Sequence, residues 1–132
     1  MRAARCLALG SIEDVVVATV DDPEPDARQM VVRVAAASVN HPDVLLVEGR
    51  YQVRIPAPFT PGSELAGTVT SIGPGVSGGP QVGDRLVASG FSGAFAEQAV
   101  VGSAAARLIP DSVDFQAAAG FGVAYTTATM RS

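Results

Sequence analysis

A chain of 132 residues suits one compact domain and leaves no room for two ordinary ones. Its 48% hydrophobic content can fill a core, while 14 Gly, 9 Pro and no Trp point to a turn-rich, largely β protein. A net charge of −4 with nine scattered basic residues argues against nucleic acid as a partner, and a lone cysteine excludes an intramolecular disulfide or a thiolate zinc cluster.

In chain order, residues Arg5 to Leu9 and Val15 to Val20 read as two strands, with the turn formers Gly10 and Ser11 between β-branched runs. Cys6 falls in the first strand as a buried, inert thiol. Arg2 and Arg5 ahead of apolar residues superficially resemble a signal peptide, but the run breaks at Gly10 and again at Glu13-Asp14. No segment approaches the roughly 20 apolar residues of a membrane span, so the expectation is a cytoplasmic protein without membrane attachment. Asp21 to Asp26 is an acidic, proline-punctuated surface loop.

Met30 to Val39, apolar on both faces apart from Arg33, reads as a buried strand. Pro42 halts it and can open a short helix or turn over Asp43 to Glu48, closed by Gly49. His41, the only histidine, is expected on the loop and cannot build a multi-histidine metal site. Arg50 to Pro61 is an extended loop carrying Tyr51 and three prolines. Further strands are expected at Leu65 to Ile72, Arg85 to Ser89 and Ala94 to Val101, with a short edge strand at Ala105 to Ile109. Asp114 suits the N-cap of a helix from Phe115, and helical character resumes over Val123 to Met130.

Gly73-Pro74-Gly75-Val76-Ser77-Gly78 matches the dinucleotide pattern G-x-G-x-x-G and follows a strand. A phosphate site there needs a helix to begin at the glycines, and Gly79-Pro80 followed by Gly83-Asp84 forbids one. The motif reads as a hairpin loop.

Glu64, set between the Pro61-Gly62 turn and an apolar strand, must be solvated, paired or functional, because burying a lone carboxylate is costly. Asn40, Tyr51, Glu64 and Thr127 are the polar groups that could converge. Tyr51 offers a phenol that can donate a proton or bind a carbonyl, and Asn40 offers both a donor and an acceptor. The residues alone favour Tyr51 as an aromatic capping the core and Asn40 as a turn former over these roles.

Several segments occur in the order of one family: Pro23-Glu24-Pro25, the strand ending in Val39-Asn40, Pro42-Asp43, Glu48-Gly49-Arg50-Tyr51, Pro61-Gly62, Ala66-Gly67, Val82-Gly83-Asp84-Arg85 and Gly93 to Glu97. Together they resemble the N-terminal domain of medium-chain dehydrogenases/reductases, in the zinc-independent, zeta-crystallin-like quinone oxidoreductase branch. The resemblance implies a mainly β, GroES-like distorted β-barrel with short helices, ending in the helix that would lead into a Rossmann domain. Zinc enzymes of this superfamily carry Cys where this chain has Asn40 and His where it has Ser63, beside the acid matching Glu64. Losing both implies no zinc.

In that branch hydride passes from NADPH to a quinone, an enone or an enoyl thioester. The resemblance gives Asn40 a place in the nicotinamide and substrate cleft, with Ser63 and Glu64 lining the substrate side. Tyr51 would orient substrate or, in an enoyl-thioester reductase, donate its proton, and Thr127 would touch the nicotinamide end. Family members continue into a Rossmann coenzyme domain. This chain is therefore expected to be the substrate-side domain of such an enzyme, inactive alone. A non-catalytic, GroES-like binding module is the competing expectation. An apolar final helix with Phe121, Val123, Tyr125 and Met130 would expose sticky surface and favour a homo-oligomer.

Overall fold

The computed structural model describes residues 1–51, 55–89 and 93–119. These carry seven strands and one full α-helix: β1 (Arg2–Cys6), β2 (Val15–Thr19), β3 (Gln29–Ala37), α1 (His41–Glu48), β4 (Glu64–Ile72), β5 (Arg85–Ser89), β6 (Gln98–Gly102) and β7 (Ala106–Leu108). A further helix begins at Phe115, capped as expected by Asp114, whose Oδ1 accepts from Ala117 N at 2.7 Å. The mainly β expectation holds. The strands form a two-stranded sheet, β1-β2, and a five-stranded antiparallel sheet in the order β6-β3-β4-β5-β7, rather than one closed ring among the described residues.

Two strand starts differ from the sequence reading by more than one residue, each for a pairing reason. β1 starts at Arg2 rather than Arg5, because Met1 and Val20 exchange backbone hydrogen bonds and zip the hairpin from its open end. β6 starts at Gln98 rather than Ala94. Ala94 and Phe95 donate instead to Gly62 and Pro61, and the Phe95 carbonyl accepts from Ala4 of β1.

Side chains alternate across a strand, so β4 serves two cores. Leu65 and Val69 join Met30, Val32, Leu86 and Val101 in the main core, and Ala66 faces the other way, against Ala118 and Ala119 of the last described helix. A third cluster of Cys6, Val47 and Phe59 ties the β1-β2 hairpin to α1. Gly67, at the crossing of β3 and β4, is fixed by close approach. A Cβ there would stand 2.2 Å from the Arg33 carbonyl oxygen and 2.7 Å from Val32 Cγ1.

β3 is less uniformly buried than its composition suggests. Met30, Val31 and Val32 are buried, while Arg33 and Ala35 are exposed. The β3-β4 register shifts twice, between Val31 and Val32 and between Val34 and Ala36. The second irregularity inserts an extra residue and reverses the alternation, as bulges do. Met30, Val32 and Val34 pack on the main core before it, whereas after it Ala37 does so and Ala36 turns to the helix side.

Candidate functional site

The bulge in β3 decides where the site's side chains point. Ala37 pairs with Leu65, so Ser38 leaves the sheet beside Glu64, the first residue of β4. Regular alternation from Met30 would aim Ser38 into the main core. The extra residue aims it at the helix side, the side to which Glu64 and Ala66 belong. Ser38 Oγ lies 2.8 Å from the Ala119 carbonyl oxygen and 3.4 Å from Glu64 Oε2. A hydroxyl has one proton, and the shorter contact takes it. Glu64 is fully buried.

The turn before β4 is held from outside. Gly62 adopts φ 107°, and a Cβ on it would meet Ala94 Cβ, Phe95 Cδ1 and the Phe95 nitrogen, each at 2.8 Å. Its carbonyl accepts from Gly93 and Ala94. Half-buried Ser63 and buried Glu64 are thereby fixed at the sheet end where β3 releases its chain.

Two residues past Ser38, Asn40 caps α1. Its backbone N–H donates to Asp43 Oδ2 at 2.8 Å, and Asp43 N–H donates to the Asn40 carbonyl at 3.0 Å. Pro42 sits in the first turn, where no intrahelical partner for its nitrogen is needed, and Asp43 faces the positive end of the helix dipole. Asp43 is 2% exposed. Two buried polar atoms here have no hydrogen-bond partner among the described residues, Asn40 Nδ2 and Asp43 Oδ1. His41 is the first residue of α1 and exposed, which corrects its expected place on a loop.

Asn40, Ser63 and Glu64 thus occupy one end of the sheet, joined by Ser38, which the sequence reading did not single out. Only the cross-strand register and the bulge bring Ser38 to the acid. Tyr51 follows the far end of α1, whose eight residues span about 12 Å. It is 38% exposed, and among the described residues none bonds its phenol. Thr127 and the apolar residues of the expected final helix lie outside the described residues. Among the described residues no three His, Cys, Asp or Glu side chains gather as a metal cluster, and no helix is long and apolar enough to cross a membrane.

The Gly73 to Gly78 loop begins no helix. Its amides are turned inward: Gly73 N–H donates to the Gln29 carbonyl at 2.8 Å and Gly75 N–H to that of Ala27 at 2.6 Å. A phosphate would have to compete with the chain's own backbone.

Comparison with known proteins agrees with this architecture. Residues 26–111 match the alcohol dehydrogenase GroES-like domain. Rat quinone oxidoreductase is 36% identical over 97% of this chain and 39% of its own length. The mouse synaptic vesicle membrane protein VAT-1 homolog is 39% identical over 82% of this chain and 26% of its own. Among solved structures, the human VAT-1 homolog-like protein superposes with a TM-score of 0.95 at 29% identity, covering 100% of this chain and 42% of that one. A mycobacterial protein solved in complex with NADPH gives 0.93 at 29% identity, with 99% and 40% covered. The chain therefore spans about two fifths or less of the relatives it matches. It belongs to the alcohol dehydrogenase GroES-like domain family, among the quinone oxidoreductase-like medium-chain dehydrogenases/reductases.

Proposed function

We propose that this chain forms the substrate side of an NADPH-dependent, zinc-independent oxidoreductase that reduces quinones or related α,β-unsaturated carbonyl compounds. A Rossmann domain beyond these residues would hold most of the coenzyme. The carrying observation is Asn40 Nδ2, a buried amide donor at the cap of α1 without an acceptor among the described residues. Leaving such a donor unsatisfied costs about 1–3 kcal/mol, so the site favours a ligand that brings an oxygen. A nicotinamide carboxamide or a quinone carbonyl has that oxygen, and the residues present fit either.

When bound, NADPH supplies the hydride. The chain's own part is to receive the oxygen on which charge develops. Asn40 donates to it from a site already desolvated, where a fixed dipole acts more strongly than in water. By the resemblance, Ser63 would add a hydroxyl from the turn before β4. Asn40 and Ser63 are neutral groups at the positions where the zinc enzymes carry Cys and His, so polarisation here falls to hydrogen bonds. Reduction of a quinone to a hydroquinone takes up one proton as well as the hydride, and Tyr51, with its phenol unengaged among the described residues, is assigned to orienting the substrate at the cleft's outer rim.

The test is steady-state NADPH oxidation with a 1,4-quinone, using the protein with its coenzyme domain attached. Asn40→Ala is expected to lower kcat/KM about 10²-fold, the usual loss on removing one preorganised donor. An unchanged rate would overturn the reading, as would stoichiometric zinc surviving dialysis for its metal-free part. Tyr51→Phe is expected to cost less than about tenfold. A loss of about 10²-fold or more would make Tyr51 the proton donor, with an enoyl thioester the better substrate.

A further inference from the structure

Among the described residues β2 has one neighbour, β1, and its other edge is open. Which backbone groups face that edge follows from the register. Met1 and Val20 exchange both of their backbone hydrogen bonds, at 2.7 and 2.8 Å, so hydrogen-bonded pairs recur at every second position. Val16 and Ala18 therefore turn toward β1, while Val15, Val17 and Thr19 turn away. The far edge of β1 has the matching phase: Arg2, Ala4 and Cys6 bind Glu97, Phe95 and Phe59 there. Val15 N–H is used by Ile12. Val17 and Thr19 are left presenting both N–H and C=O outward, with no backbone partner among the described residues.

Nothing in this strand guards its edge. Val15–Thr19 holds no charge and no proline, and Val16 and Val17, on opposite faces, are 43% and 65% exposed. Both ends are acidic: Glu13 and Asp14 precede the strand, Asp21 and Asp22 follow it, and all four are exposed. A second copy laid antiparallel would bring the acids of one end against those of the other. A strand with cations at both ends meets attraction instead. β1 already shows the pattern on the occupied edge: Arg2 and Arg5 flank two alanines, and the terminal amine sits 3.0 Å from Asp22.

We propose that the open edge of β2 docks an extended peptide segment, two or three β-branched apolar residues between Lys or Arg residues, added as a third antiparallel strand through Val17 and Thr19. Backbone pairing supplies the affinity and the flanking charges select partner and direction. The probe is a synthetic peptide with a Val-Thr-Val centre and two Arg at each end, titrated into the full chain by nuclear magnetic resonance. The expected result is binding that protects the Val17 and Thr19 amides and weakens as salt rises. Val17→Pro removes an N–H that β1 does not use, and should weaken binding about tenfold or more. The double variant Glu13→Lys with Asp21→Lys leaves the backbone intact and should weaken it comparably. The proposal is overturned if the peptide does not bind or a Glu-flanked peptide binds as well. It also fails if neither variant changes the affinity, or if β2 is instead occupied by a second copy at raised protein concentration.

Discussion

Asp43 holds the turn on which Asn40 is presented. One carboxylate oxygen accepts the Asn40 N–H and the other is buried with no donor among the described residues, so the residue gives the cap a hydrogen bond at the cost of a half-satisfied carboxylate. Asp43→Ala should destabilise the protein by about 1 kcal/mol, near the middle of the range for lost caps, and thermal unfolding would read it. A neutral effect would mean that the stranded oxygen offsets the bond. Cys6 makes a second residue-scale test. Burial is the main force pushing its thiol above the ordinary range, nearby Asp14 adds to it, and a hydrogen bond to Ala8 opposes it. Its thiolate is thus disfavoured in the fold, so stability it lends is intact below the unfolded-state pKa and is lost as pH rises through the raised folded value. Iodoacetamide at mildly alkaline pH should leave the folded chain unmodified and label it rapidly in denaturant, which mass spectrometry separates. Fast labelling of the native protein would show that Cys6 is not sealed.

At the scale of elements, β3 and β4 carry both the fold and the site, and their contact depends on Gly67. An added methyl at 2.2 Å from a backbone carbonyl cannot be relieved by turning a side chain. Gly67→Ala should cost about 3 kcal/mol or more in denaturant unfolding, because the strands must separate or the register must slip. Alternation and turn residues made most strands legible, including β5 with both of its ends. Glu64 and Asn40 were legible as site candidates because each is polar where an apolar run begins or ends. Ser38 was not, since a period of two assumes a regular ladder and the bulge breaks it. Arg85 was legible only as part of a recurring string. Its role is structural: it donates to the Pro110 and Val113 carbonyls at 2.9 and 2.8 Å and lies 4.2 Å over the Phe115 ring, clamping the approach to the last described helix. Such a clamp joins segments 25 and 28 residues apart, which no local pattern reports.

Across the whole molecule, the two sheets are unequally anchored. The central pair β3-β4 is flanked by strands on both sides and covered by the main core on one face and by Ala118 and Ala119 on the other. The β1-β2 hairpin is instead attached mainly through β1, by isolated bridges from Ala3 to Ala96 and from Cys6 to Phe59, and by the small cluster around Val47, which Val15 of β2 joins. Opening free energy follows buried apolar contact, so the hairpin should detach before the large sheet unfolds. Native-state hydrogen exchange should then show three tiers. Val17 and Thr19 amides, turned to the open edge, should exchange nearly unprotected. Val16 and Ala18, bonded to β1, should exchange by a sub-global opening that also releases Ala4 and Cys6. Val32 and Val69 should require global unfolding. If Val16 and Ala18 instead match Val32 across a denaturant series, the hairpin belongs to the same cooperative unit as the large sheet. The Cys6, Val47 and Phe59 cluster would then bind the two sheets more tightly than its size suggests.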